Sequence, residues 1–358
     1  MTKKITNQPV LTIAVPAYNV SQFLKRGINS LLSHNMKDKM EVIIIDDGSS
    51  DDTLDIAKYF ETIPSPNGKQ IVKVVSKTNG GHGSAINLGI QLATGKYFKL
   101  MDGDDFFDEK QLPKLINILE TEQSDIVLTD YSEVYADSTK LHHIRPYLFM
   151  EPGHQYELDE FGFSKNTVGP LLSTTSCKTE LLHKSDFKID ENCYYVDMEY
   201  NYMTYLIAKN IAYYPLDIYR YSLDIEGQSM SIQSLAKNHL QHERVCLRLM
   251  DEFEKSKDSL SDNKRSYLAT NLIIPLCNTQ YMILAEYIRD PKKFISFDNK
   301  VKKYPEFYNH PEIVGLIISL HRKTNGLTIP ANNMLRGCAK LLRNLIKVII
   351  PNSLREKK

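Results

Sequence analysis

Four short apolar runs punctuate the first 120 residues: 11–15 (LTIAV), 42–45 (VIII), 71–75 (IVKVV) and 97–101 (YFKLM). Each is β-branched or aromatic and ends in polar or turn-forming residues, a pattern that predicts strands. Between them the apolar spacing changes to three and four. Phe23, Leu24, Ile28, Leu31 and Leu32 follow it, as do Leu54, Ile56, Ala57 and Phe60, and then Ala85, Leu88, Leu92 and Ala93. That spacing predicts amphipathic helices. Asp51, Asp52 and Thr53 offer a cap and first-turn acids to the second helix, and Ser84 offers a cap to the third.

Near-continuous apolar strands alternating with helices predict an α/β fold: a doubly wound, mostly parallel sheet with helices on both faces. Right-handed crossovers carry the loops after the strands to one edge, where ligands bind in such sheets. Residues 16–19, 46–50, 77–83 and 102–105 should therefore meet at one crevice.

The pattern becomes irregular from about 125 to 225. Residues 126–130 read as a strand, 147–170 as a loop-rich stretch, 194–208 as a helix and 212–221 as a Tyr-rich strand. After about 235 the character is helical, with long apolar faces at 235–253, 267–288 and 312–321. The division expected is a sheet-based unit over 1–230, a helical appendage over 231–330 and a terminal basic helix over 331–358.

Charge and cysteine usage narrow the function. Forty-four basic side chains balance forty-four acidic ones, so no global field draws the chain to nucleic acid. Five cysteines without Cys-x-x-Cys spacing argue against a disulfide framework or a zinc site and fit a reducing cytoplasm. The run at 11–15 is too short for the core of a signal peptide, and no stretch approaches the ~20 apolar residues of a membrane-spanning helix. Residues 331–358 differ from the rest. Arg336, Lys340, Arg343 and Lys347 form one helical stripe beside a broad apolar side. Such a helix suits the interface of an anionic membrane; packing on the core or on another subunit, as in a homo-oligomer, is the alternative.

The chemistry concentrates in acids at strand ends. Asp102, Asp104 and Asp105 follow the fourth strand with no Cys or His among them. Carboxylates this close raise one another's proton affinity, and hard oxygen ligands suit Mg²⁺ or Mn²⁺ held open for substrate phosphates. A calcium helix-loop-helix would want Gly at position six and Glu at position twelve, where this chain has Phe107 and Pro113. Asp46 and Asp47 end the second strand, where a carboxylate can accept the imide N–H of uracil. Residues 79–84 (NGGHGS) open the third helix, and backbone N–H groups there, Gly80 included, could cradle phosphate. His82 in that loop is a contact candidate for donor or acceptor, with a solvent-facing loop histidine as the plain alternative.

Together these pieces resemble the family-2 glycosyltransferases of the GT-A fold. The matching segments are Val15-Pro-Ala-Tyr-Asn19, Ile45-Asp-Asp-Gly-Ser-Ser-Asp-Asp-Thr53, Asn79-Gly-Gly81 through Ala85-Ile-Asn87-Leu-Gly89, Ala93-Thr-Gly-Lys-Tyr97 and Leu100-Met-Asp-Gly-Asp-Asp105. The resemblance is strong over the N-terminal third and weakens toward residue 230. It implies inverting transfer of a sugar from a nucleotide-diphosphate donor, UDP-linked by family habit, as hexosyl or N-acetylhexosaminyl transfer to a glycan, lipid-linked or protein-linked acceptor. Bacterial polysaccharide or glycoconjugate synthesis is the setting it implies.

By the same resemblance, Asp47 or its neighbour Asp46 reads the base, and Pro16, Ala17 and Tyr18 line the base and ribose pocket. Asp102 lies near the ribose or metal, and Asp104 is the principal ligand of Mg²⁺ or Mn²⁺. Asp197, in Tyr195-Val-Asp197-Met-Glu199-Tyr200, takes the place of the catalytic base, with Glu199 in reserve. Many relatives have Arg where this chain has Ile86, so diphosphate neutralisation would pass to the metal, Lys77 or downstream residues; Arg220 and Ser229 are candidates. A nucleotidyltransferase would want a Gly-rich basic loop after the first strand, and residues 16–19 hold neither feature. A non-catalytic nucleotide- or sugar-binding module is the other rival, and the intact acids argue against it.

Overall fold

A computed structural model describes residues 8–32, 37–64, 68, 70–135, 141–162, 171–223, 231–311, 313 and 315–329. The chain forms two compact units. One comprises Met1–Gln228 and Ser256–Leu272, the other Ser229–Lys255 and Ile273–Lys358.

The first unit is organised by a sheet of ten strands among the described residues. They are β1 (Leu11–Ala17), β2 (Met40–Asp46), β3 (Val72–Ser76), β4 (Tyr97–Leu100), β5 (Phe106–Phe107), β6 (Ile126–Tyr135), β7 (Leu141–Ile144), β8 (Gln155–Glu157), β9 (Thr175–Lys178) and β10 (Asn210–Leu223). Their order is β3-β2-β1-β4-β9-β6-β10-β5, with β7 beside β6 and β8 beside β10. The first four run parallel, in register from Leu11↔Met40 and Leu11↔Tyr97. Strand β9 then enters antiparallel to both β4 and β6, while β6 and β10 are parallel. The result is the expected mostly parallel sheet with antiparallel insertions.

Helices α1 (Ser21–Leu32), α2 (Thr53–Glu61), α3 (His82–Leu92), α4 (Leu112–Thr121), α5 (Thr179–Lys184) and α6 (Asp197–Ile207) connect the strands. Both β1 and β2 are buried along their whole length, as strands covered on two faces must be. On one face Leu11, Ile13, Val15, Val42 and Ile44 share a core with Leu24, Ile28 and Leu31 of α1, Phe60 of α2 and Leu115 of α4. On the other face α3 lies close enough that a Cβ on Gly89 would stand 2.8 Å from the Ala14 methyl. Only glycine allows that approach.

The helix starts differ in detail from the sequence expectation. Asp51 Oδ1 accepts the Thr53 N–H at 3.0 Å and its Oδ2 accepts Ser21 N–H at 3.1 Å, whereas Asp52 makes no side-chain cap bond. Burial opposes ionisation of Asp51, but these bonds outweigh it and hold the carboxyl down to about 2. Helix α3 begins after Gly81, at φ 81°, so Ser84 sits inside the first turn and caps nothing.

Lys99 is fully buried on β4, its Nζ donating to Ser173 O at 2.7 Å and Thr175 O at 3.3 Å. Burial alone pushes its ammonium down to about 7. Because the unfolded chain binds this proton far more tightly, the contribution of Lys99 to stability should rise with pH between about 7 and 10. Urea unfolding of the native chain and of Lys99→Met should therefore converge as pH is raised. From pH 7 to 8.5 the expected closure is about 1–2 kcal/mol.

The second unit is helical, with buried polar pairs such as His242 Nδ1···Gln280 Oε1 at 2.9 Å and Arg322 Nε to Asp298 Oδ1 at 2.7 Å. The run Asp262–Ile288 is 27 residues long and has the length and composition of a membrane span, contrary to the sequence expectation; 67% of its apolar window is buried in the protein. The four described cysteines, Cys177, Cys193, Cys246 and Cys277, are all buried thiols outside any disulfide. The basic helix expected over 331–358 lies outside the described residues.

Candidate functional site

The loop after β4 is held from several directions. Asp105 N–H closes a turn on Asp102 O at 3.0 Å. Ser222 of β10 donates its N–H to Asp105 Oδ1 at 2.7 Å and its hydroxyl to Asp104 O at 2.9 Å. Arg26 of α1 reaches Asp104 O at 3.0 Å and stacks over Phe106 at 4.2 Å. The buried Tyr219 hydroxyl accepts the Asp102 N–H at 3.1 Å. Gly103 is required here, since a Cβ would stand 2.9 Å from Val20 and 3.0 Å from Pro16 O.

This rigid turn concentrates negative charge. Burial, then the charges of Asp102 and Asp104, drive the Asp105 carboxyl well above its usual range, and its Oδ2 has no partner. Burial and the Asp102 charge push Asp104 up to about 6. Among the described residues no three His, Cys, Asp or Glu side chains form a ready metal cage. Two neighbouring carboxylates, Asp102 and Asp104, beside an orphaned buried carboxylate oxygen nevertheless fit a divalent cation that takes its remaining ligands from substrate and water.

His82 connects this loop to the next acid. Its Nε2 lies 3.3 Å from Asp102 Oδ1. Enclosure by the crevice would lower the imidazole pKa, but the bond to Asp102 and the charges of Asp102, Asp197 and Asp104 outweigh it and raise the value. The same four residues thus feel one another. Asp197 opens α6 in contact with solvent, yet the surrounding walls still raise its carboxyl, with His82 partly offsetting them. Tyr221 of β10 belongs to the same field, pushed up to about 12 by burial and by Asp105, Asp102, Asp104 and Asp197. Glu199, the reserve base, is fully buried and accepts the Asp190 N–H at 2.7 Å, which removes it from the crevice.

At the end of β2 the two acids are more occupied than the sequence reading allowed. Asp47 accepts Gly80 N–H at 3.0 Å and Lys77 Nζ at 2.7 Å on Oδ1, and Gly81 N–H at 2.8 Å on Oδ2. Gly80 is therefore no phosphate cradle, because its N–H and that of Gly81 are spent on Asp47. Lys77 is spent as well, bonding Thr78 O and the Ser84 hydroxyl besides Asp47. Asp46 accepts one donor on each oxygen, Ser49 N–H at 3.2 Å and the Ser76 hydroxyl at 2.8 Å. A carboxylate offers about four lone pairs, so of the two acids Asp46 keeps the greater spare capacity.

Pro16 and Ala17 are buried within β1, and only Tyr18, 52% exposed, presents a surface to a ligand. Arg220 is buried between Asp217 at 2.8 Å and Asp108 at 2.7 Å, a structural pairing that leaves it no diphosphate to meet. Ser229 lies outside the described residues. Sequence reading missed Arg26, Tyr219 and Ser222 as supports of the acidic loop. Their contacts span 78 to 118 positions, and no local pattern marks them.

Residues 12–187 match Glycosyl transferase family 2. An uncharacterized glycosyltransferase of Bacillus subtilis, EpsJ, is 35% identical over 119 residues, covering 33% of each chain. Matches to other curated glycosyltransferases span from 20% to 72% of the relative's length, most of them no more than half. In overall structure the chain is similar to Staphylococcus aureus TarS 1–349 in complex with UDP-GlcNAc, with a TM-score of 0.63, 18% identity and 91% of each chain covered. It is also similar to the mannosyltransferase PcManGT of Pyrobaculum calidifontis in complex with GDP-Man and Mn²⁺, with a TM-score of 0.50, 16% identity and 92% of this chain and 87% of that one covered.

Proposed function

We propose that this chain, whose residues 12–187 match Glycosyl transferase family 2, transfers a sugar from a nucleotide-diphosphate donor to an acceptor hydroxyl with inversion at the anomeric carbon. The observation that carries this reading is the convergence of Asp102, Asp104 and Asp197 around His82, at the same sheet edge as Asp46 and the exposed Tyr18.

In this reading Tyr18 and the β2 end receive the nucleoside, and Asp46, buried but with lone pairs left beyond its bonds to Ser49 and Ser76, is the carboxylate that would accept a base N–H. Asp102 and Asp104 would hold Mg²⁺ or Mn²⁺. Such an ion, when bound, offsets the charge that grows on the departing diphosphate. Asp197 removes the acceptor hydroxyl's proton as that oxygen attacks the anomeric carbon. Its raised pKa makes it a stronger base than an ordinary carboxylate, and its exposure admits an acceptor. The UDP-GlcNAc bound by TarS and the GDP-Man with Mn²⁺ bound by PcManGT supply the first donors to try. We place the reaction on the cytoplasmic side of the cell, in polysaccharide or glycoconjugate assembly.

The test is a thermal-shift screen of UDP- and GDP-sugars with and without Mn²⁺, followed by measurement of nucleotide release. A ligand bound only by the folded state at 100 times its Kd adds about 2.7 kcal/mol, several degrees for a domain of this size. A binder should emerge that needs the metal and whose nucleotide is released on incubation. Binding without release by every donor and metal tried would leave a binding module instead.

A further inference from the structure

Ahead of α3 the N–H groups of Gly80 and Gly81 are spent on Asp47, so the contacts of this segment on the other side acquire the greater interest. Asn87 Nδ2 donates to Ile189 O at 2.8 Å while its Oδ1 accepts Ile189 N–H at 3.0 Å, a two-point clamp on the backbone of one residue 102 positions away. One turn earlier, a Cβ on Gly83 would stand 2.1 Å from Asp190 O. At the loop itself, Asn192 N–H donates to Gly80 O at 2.6 Å. Gly81, at φ 81°, has the Asn192 backbone 3.2 Å from where a side chain would begin. The buried Glu199 takes the Asp190 N–H from the opposite direction.

What these contacts fix is a short stretch of strained chain. Asn192 and Tyr195 both adopt left-handed backbone, at φ 52° and 67°. For a residue like tyrosine this conformation costs about 1–3 kcal/mol and persists only where the surroundings impose it. Two residues after Tyr195 comes Asp197.

We propose that the segment 80–87 sets the position of Asp197, with Asn87 as the positioning residue, rather than binding donor phosphate. The inference rests on Asp197 being the base. From one side Asp47 holds Gly80 and Gly81; from the other, Gly80, Gly83 and Asn87 hold 189–192. The acid at the end of β2 and the acid at the head of α6 thereby share one loop. A base displaced by about 1 Å loses on the order of a hundredfold in rate, whereas nucleotide binding has no stake in residue 87.

The experiment compares Asn87→Ala, Asn87→Ser and Asp197→Asn in the full chain. UDP binding is measured by calorimetry with Mn²⁺, turnover with the nucleotide sugar found in the stabilisation screen, and hydrogen exchange over residues 189–197. The expected result for Asn87→Ala is UDP affinity and donor KM within about twofold of the native chain, kcat lower by about ten- to a hundredfold, and faster exchange in 189–197. Asn87→Ser, which keeps one hydrogen-bonding atom, should fall between, and it carries the comparison if the alanine variant does not fold. UDP affinity falling in step with kcat would overturn the proposal in favour of a phosphate cradle. Native exchange and native kcat would overturn it outright. If Asp197→Asn turns over normally, the base assignment is what has failed, and the exchange data still decide whether Asn87 holds the loop.

Discussion

Asp197→Asn should lower sugar transfer by about two to four orders of magnitude while leaving nucleotide affinity within about twofold. The substitution keeps the size of the side chain and its place at the head of α6, but an amide cannot take a proton from an acceptor hydroxyl. Asp197 lies at the solvent-facing end of the charged cluster, whereas the buried Glu199 is committed to Asp190. Glu199→Gln serves as the contrast. It keeps an acceptor for the Asp190 N–H, so its effect should appear mainly in unfolding experiments. Initial-rate kinetics with a fixed donor check both variants; native kcat in Asp197→Asn would move the base elsewhere.

The second large effect is expected at Asp104, and it runs in two directions. Asp104→Asn should weaken Mn²⁺ binding by at least about a hundredfold and abolish metal-dependent turnover. In metal-free buffer the same variant should be more stable than the native chain. The sign follows from the raised carboxyl. With a folded pKa of about 6, above the unfolded value, Asp104 loses stability for the fold as pH rises from about 4 to 6. At pH 7 the native chain carries that full penalty, and the amide does not. Discounted for partial exposure, the expected gain is about 1–2 kcal/mol. Mn²⁺ titration followed by electron paramagnetic resonance measures the first effect, and urea unfolding in chelator the second. Equal metal affinity in the two proteins would remove Asp104 from the ligand set.

Much of the N-terminal architecture was legible because strand and helix periods there are clean. Residues 11–15, 42–45 and 97–101 fall within or against β1, β2 and β4, and the acidic loops do gather at one edge. Helix α4 escaped notice although Leu112, Leu115, Ile116 and Leu119 keep helical spacing and are all buried. Strand β9 was invisible for a physical reason. Its four residues, Thr175 to Lys178, are mostly polar, and their burial comes from strand partners 47 or more positions away. The glycine-rich loop misled for the opposite reason. Its composition says that another backbone comes close, but nothing local says whether that backbone belongs to a ligand or to the chain itself. Asp47 and residues 189–192 supply the answer only when the chain has folded.

The antiparallel entry of β9 between β4 and β6 has a consequence for biogenesis. Tyr97 pairs with Lys178, and Ile126 with Cys177, so both flanking strands leave the ribosome with an open edge. At about 5–20 residues per second, the roughly 75 residues separating β4 from its neighbour take several seconds to synthesise. Once β6 has emerged within that interval, the nascent chain displays two unsatisfied rows of peptide groups, the template on which strands from other chains can add. Fragments ending before Thr175 should consequently self-associate, whereas those extending past Lys178 close the gap themselves.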